Sequence, residues 1–259
     1  MSDVSAQLSI LWPALLAGLL VVISHVPLGQ QVLSRGIVFI DLAIAQVAGV
    51  GVIAMHAIRP DASGLAVQAS AVVAALLGAL LLTWTEKRRP EVQEALIGVL
   101  FVLASTAQLL ILANDPHGGE DLKDLLAGQI LWVSKEQLIR AAVLTAIFVA
   151  VWFTVRERIG RIGFYVLFAL AVTASVQVVG VYLVFASLIM PALAVRGMPE
   201  KRGLVAAFVV GAVAYAAGLI LSTVFDLPSG ALIVWCLAIC AIIMAILRKL
   251  SGGMREARA

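Results

Sequence analysis

The sequence predicts an all-α, polytopic integral membrane protein with about eight to nine transmembrane helices. Of its 259 residues, 63% are hydrophobic and only 13% are charged, and the mean hydropathy is +1.09. Soluble domains carry about 25% charged residues, so this composition excludes an ordinary soluble enzyme and a disordered chain. The apolar runs are long and do not alternate with period two, which favours helices over membrane strands.

Nine apolar runs are candidates for membrane spans, because a helix needs about 20 apolar residues to cross the hydrocarbon layer. The pair within 162–195 is short for two full spans and contains Gly180 and Pro191. We therefore expect a broken or re-entrant helix in this pair, with a short separate helix set off by Pro191. The runs are 8–24, 36–58, 65–85, 92–113, 137–155, 162–176, 177–195, 203–224 and 230–247.

The whole chain, 1–259, is predicted to form a single transmembrane domain, because its loops are short and contain no low-complexity linker. The first run lacks a basic start and a clear cleavage site, so a retained helix is expected rather than a signal peptide. Cys236 and Cys240 lie four apart in an apolar run. This context is typical of small core residues and not of a disulfide framework or a metal site.

Orientation follows from the loops that hold the basic residues. In a nine-span arrangement, 14 of the 18 Lys and Arg residues fall on one side, and only Arg59, Lys123, Lys135 and Arg140 fall on the other. The positive-inside rule places the first side in the cytoplasm. The C-terminus is then cytoplasmic, the N-terminus is outside, and the acidic loop 114–136 is outside. Membrane lipid is the surrounding partner, and topology explains the basic clusters without nucleic acid.

Asp41 is the only acidic residue well inside a predicted span. A carboxylate near mid-membrane costs about 2.5–3.5 kcal/mol, so it usually faces the interior of the helix bundle and marks a transport path. A structural role near the end of the helix is the alternative. Asp41 is the candidate metal ligand, and the candidate path residues are Asp41, Gln46 and His56.

The other intramembrane polar residues give weaker signals. His25, His56 and His117 are scattered, and His56 lies about 22 Å from Asp41 along a straight helix, too far to share one ion. Gln46, Gln108 and Gln177 are suited either to lining a path or to bridging helices. The sequence contains no nucleophile elbow and no phosphate-binding glycine loop, so the chain itself is not predicted to be an enzyme.

Several stretches, in this order and spacing, resemble the permease subunits of bacterial ATP-binding-cassette (ABC) importers for zinc and manganese, over nearly the whole chain. The most specific runs from Val178-Val179-Gly180-Val181 to Leu188-Ile189-Met190-Pro191-Ala192. The others are Pro27-Leu28-Gly29 with Arg35 and Phe39-Ile40-Asp41, Glu94-Ala95-Leu96-Ile97-Gly98, Asp121-Leu122 with Leu126-Ala127-Gly128-Gln129-Ile130-Leu131, and Asp226-Leu227-Pro228-Ser229-Gly230.

The resemblance implies a multi-pass permease of the bacterial inner membrane that imports a divalent metal cation such as zinc, manganese or iron. It implies a homodimer with alternating access, a separate cytoplasmic ATPase that binds ATP, and an extracytoplasmic metal-binding protein. The permease itself would bind no cofactor. The segment 187–202 would contact the ATPase, with Ser187, Pro191, Ala192, Ala194 and Arg196 as the coupling residues.

Two departures from the family pattern mark a divergent branch. The family has a His four residues after the Asp of the second helix, where the two side chains could share a metal. Here that position is Ala45, and Gln46 lies about 140° around the helix from Asp41. The loop 156–161 is also shorter than in the family. The alternatives are a permease for metal chelates of the siderophore or cobalamin type, an intramembrane enzyme, and a structural membrane subunit.

Overall fold

The computed structural model describes residues 2–113, 115–155, 158 and 160–256. These residues form helices and connecting turns, with no β-strand among them. Eight of the described helices are long and apolar enough to cross a membrane. The prediction of an all-α polytopic membrane protein is therefore confirmed.

Within the described residues, ten α-helices follow one another. Two short 3₁₀ turns, Pro90–Val92 and Ile130–Trp132, precede α4 and α6. The helices are α1 (Ser2–Arg35), α2 (Ile40–Ile58), α3 (Gly64–Arg88), α4 (Gln93–Leu112), α5 (Gly118–Ala127), α6 (Lys135–Val155), α7 (Arg161–Val179), α8 (Val181–Ala194), α9 (Glu200–Phe225) and α10 (Ser229–Glu256).

The pair predicted within 162–195 is one full span and one short helix. The break falls at Gly180, between α7 with 19 residues and α8 with 14. At 1.5 Å per residue α8 is about 21 Å long, which is less than the roughly 30 Å hydrocarbon layer. The expected separate helix at Pro191 is wrong, because Pro191 lies inside α8. Membrane helices tolerate an internal proline where neighbouring groups satisfy the freed backbone.

Helices α1, α2, α7 and α8 form the centre of the bundle. α1 packs on α6, α8 and α9, α2 on α3 and α4, and α10 on α8 and α9. In lipid the hydrophobic effect does not drive helices together, and glycines allow helix backbones to pack closely against each other. Gly29 faces the backbone carbonyl of Leu188, and Gly211 faces the side chain of Val22. The peripheral helices expose large apolar side chains, such as Leu77 and Ile242, on the faces that would meet lipid.

The two ends of the bundle differ in charge. One end, here called the basic end, holds Arg35, Arg161 and the segment around Arg196, and the C-terminal part of α10 lies there. The opposite end, here called the loop end, holds the long connection between α4 and α6. That connection contains α5 and a 3₁₀ turn. The apolar runs of the sequence did not indicate α5, because this helix is short and amphipathic.

Three glycines bring separate elements into backbone contact at the loop end. We call Gly128, Gly180 and Gly230 the glycine junction. Gly128 has φ 71° and ψ 167°, and Gly180 has φ 79° and ψ 164°, a region essentially restricted to glycine. A Cβ atom on Gly180 would overlap the backbone of Gly128, and one on Gly230 would lie 2.5 Å from the Ala127 carbonyl oxygen. The junction thus joins the end of α5, the α7–α8 break and the start of α10.

Candidate functional site

Asp41 lies in the first turn of α2 and is fully buried. Neither carboxylate oxygen has a hydrogen-bond partner within the part of the chain that the structure describes. Ala45, one turn further on the same face, is also fully buried and offers no ligand atom. No group of three or more His, Cys, Asp or Glu residues that could hold a metal occurs among the described residues. Within the described part of the chain, Asp41 is thus a buried carboxylate with no hydrogen-bond partner and no neighbouring cluster of metal ligands.

Gln46 lies on a different face of α2 from Asp41 and connects α2 with α4. The Gln108 side-chain nitrogen donates to the Gln46 side-chain oxygen at 2.7 Å and to the Gln46 backbone oxygen at 2.8 Å. Both side chains are buried. The sequence left open whether these amides line a path or bridge helices. The structure shows that Gln46 and Gln108 bridge α2 and α4, and Gln46 also lines a groove.

A groove of about 450 Å³ runs between α2, α4, α5, α8 and α10. Its walls are mainly apolar, with polar atoms from Gln46, Ser105 and Tyr182. The Ser105 hydroxyl is buried without a partner among the described residues, and Tyr182 is 56% exposed. Asp41 does not line this groove. The groove and the carboxylate are therefore separate features in this conformation.

A second, larger cavity of about 720 Å³ opens at the loop end between α2, α4, α5, α6 and α7. Its polar lining is rich in amides and carboxylates, and Gln129 donates to Asp124 at 2.6 Å. His56 lies at this mouth, as its position in the second predicted span suggested. The polar lining residues are His56, Asp115, Asp124, Gln129, Gln137 and Gln177.

At the basic end, the start of α2 is tied to its neighbours. The backbone N–H of Phe39 donates to the Glu94 carboxylate of α4 at 3.2 Å. The Arg35 guanidinium lies 4.1 Å from the ring centroid of Phe164 in α7, a cation–π distance. Asp41 follows Phe39 by two residues, so these contacts hold the helix end that carries the buried carboxylate. Glu94 opens one of the stretches that carry the family resemblance, but the sequence alone gave no partner for it.

The predicted coupling residues differ in their exposure. The Ser187 hydroxyl is buried, donates to the Leu183 carbonyl at 2.7 Å and hydrogen-bonds the Tyr215 hydroxyl at 2.8 Å. Arg196, in the turn after α8, is exposed, and Leu193 at the end of α8 is 52% exposed. Four of the five predicted residues are buried within the chain, namely Ser187, Pro191, Ala192 and Ala194.

The family model described as the ABC 3 transport family matches residues 7–160 and 154–248. The chain belongs to this family. This match confirms the prediction that the chain belongs to the family of metal-importer permeases. The chain is therefore a transport protein.

The chain is similar over most of its length to one curated relative and to two solved structures. An uncharacterized membrane protein, slr2045, from Synechocystis sp. (strain ATCC 27184 / PCC 6803 / Kazusa) is 26% identical over 261 residues, covering 91% of this chain and 90% of the relative. The structure of PsaBC from Streptococcus pneumoniae in complex with Fab matches with TM-score 0.75 and 22% identity, covering 94% of each chain. A putative metal-chelate type ABC transporter in an inward-facing conformation matches with TM-score 0.67 and 15% identity, covering 92% of this chain and 84% of that one.

In this ABC 3 permease, three functional candidates lie at different levels of the helix bundle. A polar cavity lies at the loop end, a buried carboxylate lies near the basic end of α2, and an exposed turn follows α8. Of the predicted coupling residues, only Arg196 is placed to touch a partner directly. The buried four could affect coupling only through the position of α8.

Proposed function

We propose that this permease imports a divalent metal cation, with ATP hydrolysed by a separate cytoplasmic ATPase. The observation that supports this most is Asp41. A fully buried carboxylate without a partner in a membrane helix is costly and usually marks an ion pathway. Carboxylate oxygen is also a ligand for manganese, iron and zinc. Within a family of transport permeases, an ion path accounts for its position better than a role in helix packing.

The proposed Asp41 site is weak and transient. Ala45 supplies no ligand atom, and an ion held tightly would not leave. Because Asp41 is fully buried here, the ion reaches it only when neighbouring helices move, as in alternating access. Gln46 and His56 would then act at separate points of the path, Gln46 on the groove side of α2 and His56 at the loop end.

We propose that a second copy of the chain covers the groove between α4 and α8, giving a homodimer. Supporting this, the groove is open at one side, and aromatic side chains stand exposed beside it. Phe39 stacks on Phe185 with ring centroids 6.4 Å apart and is 50% exposed. Tyr182 is 56% exposed on the same side. Aromatic residues are enriched in protein interfaces.

We propose that the basic end faces the cytoplasm of a bacterial cell and that the protein lies in its inner membrane. An extracytoplasmic metal-binding protein would deliver the ion to the loop-end cavity, whose carboxylates favour cations. Cysteine labelling tests this orientation. Gly119→Cys should react with a membrane-impermeant reagent in intact spheroplasts, and Arg88→Cys should react only after the membrane is opened.

The two labelling positions are chosen for their surroundings. Gly119 is exposed and a Cβ there meets open space, whereas the adjacent Gly118 is buried against Leu112. Arg88 is exposed at the end of α3. Labelling of Arg88→Cys from outside, with Gly119→Cys protected, would reverse the proposed topology.

A metal chelate is the second candidate cargo. The described groove residues present amide and hydroxyl groups and no carboxylate, which suits a neutral or organic complex better than a bare ion. The experiment that separates the two is the cargo of the cognate binding protein. Purified from cells, that protein should contain one divalent metal and no organic ligand. An organic chelator recovered with the metal would instead favour the chelate.

A further inference from the structure

The C-terminal end of α8 is closed by a side chain from another helix. The last carbonyl groups of a helix have no partner within the helix and must find one elsewhere. Arg248 of α10 donates from Nη1 to the Ala194 carbonyl at 2.7 Å and from Nη2 to the Arg196 carbonyl at 2.8 Å. A single guanidinium therefore joins the final residue of α8 to the turn that follows it.

This contact suits arginine in particular. The planar guanidinium presents several donors in a fixed fork, whereas a lysine ammonium acts as a single point charge. Hydrogen bonds from a charged donor are stronger than neutral ones, and a cation at a helix C-terminus also interacts favourably with the helix dipole. The charged hydrogen bonds and the dipole interaction both stabilise the contact between the turn after α8 and α10.

Backbone hydrogen bonds of 3.2 and 3.0 Å hold the turn after α8, and α8 packs on α1 and α10, so the Arg248 contact adds to these restraints. Pro191 lacks a backbone N–H, so one hydrogen bond is missing inside the helix. Gly197 has φ 87°, a conformation that allows the sharp reversal before α9. A Cβ there would lie 3.8 Å from the Arg248 guanidinium. The guanidinium thus lies on the inner side of the turn that exposes Arg196.

We propose that Arg248 is a positioning residue that fixes the ATPase-facing end of α8 to the last helix. The ATPase would then recognise a surface whose shape depends on α10 as well as on the turn after α8. This inference rests on the proposed function in requiring an ATPase partner at the basic end, and on the predicted contact of that ATPase with the segment 187–202. It does not depend on which cargo is carried.

The test uses the full permease in lipid nanodiscs, titrated with its separately purified ATPase subunit. In Arg248→Gln, the ATPase concentration for half-maximal binding should rise about tenfold, because two charge-assisted hydrogen bonds are lost. Arg248→Lys should recover part of this loss. Lys249→Gln is the matched control, since it removes the adjacent exposed cation of the same helix, and it should stay within about twofold of wild type.

Amide hydrogen exchange supplies a readout that does not involve the ATPase. Exchange in 193–199 should rise in Arg248→Gln and stay unchanged in Lys249→Gln. Unchanged exchange in Arg248→Gln would overturn the clamp itself. Raised exchange with unchanged ATPase binding would overturn its role in docking, as would failure of Arg248→Lys to bind better than Arg248→Gln. A wild-type permease that binds no ATPase would refute the proposed function as well, so the two failures are distinguishable.

Discussion

Asp41→Asn is expected to reduce metal uptake at least tenfold while leaving the permease folded in the membrane. Asparagine keeps the size of the side chain and removes the negative charge that would hold a passing cation. A tenfold change corresponds to about 1.4 kcal/mol, a modest loss for a charge in a buried site. Uptake of zinc, manganese and iron should be measured in whole cells at matched protein levels.

Asp226→Asn is the matched control for Asp41→Asn. Asp226 is exposed at the loop end and has φ 51°, a left-handed conformation that asparagine also tolerates. The same chemical change there should leave uptake within about twofold of wild type, as expected for a surface site. Full uptake by Asp41→Asn would make Asp41 a structural residue and leave the ion path unassigned.

Gly180→Ala is expected to remove most folded permease from the membrane. The backbone at Gly180 lies in a region essentially restricted to glycine, which costs of the order of 1–3 kcal/mol for another residue. The added methyl group would also overlap the Gly128 backbone. Both effects act at the glycine junction, where α5, α7, α8 and α10 meet. The measurement is the yield of monodisperse protein and its unfolding midpoint in detergent.

Gly98→Ala provides the comparison for Gly180→Ala. Gly98 lies within α4, and a Cβ atom there meets no neighbouring atom within 4 Å. Alanine is favoured over glycine in a helix by about 1 kcal/mol, so this variant should be as stable as wild type or more so. Equal yields and midpoints for the Gly180→Ala and Gly98→Ala proteins would show that the junction is not a structural requirement.

The long apolar spans could be predicted because each exceeds the length needed to cross a bilayer. The position of the break in 162–195 could not, because its cause is a tertiary contact. Gly180 ends α7 where it meets Gly128, some 50 residues earlier in the chain, and Pro191 is accommodated inside α8. Helix α5 was missed because ten amphipathic residues do not form a membrane-span signal.

The sequence also predicted only part of the candidate site, because it shows local hydropathy and does not show tertiary contacts. Hydropathy alone singled out Asp41, because a carboxylate in an apolar run is expensive wherever it points. Sequence could not show that Gln46 pairs with Gln108, or that Ala192 and Ala194 are buried. These facts depend on which helices are neighbours. The same limit hid Arg248, whose partners lie more than 50 residues away and are backbone atoms without a sequence signature.

ATP-driven accumulation of metal in proteoliposomes is the direct test that this permease imports a divalent metal cation. The permease and its ATPase are reconstituted together, the metal-loaded binding protein is added outside, and zinc or manganese inside the vesicles is measured with and without ATP. We expect accumulation that requires ATP and the binding protein and that is strongly reduced in Asp41→Asn. Vesicles that hydrolyse ATP in response to the loaded binding protein but accumulate neither metal above the ATP-free level would contradict it.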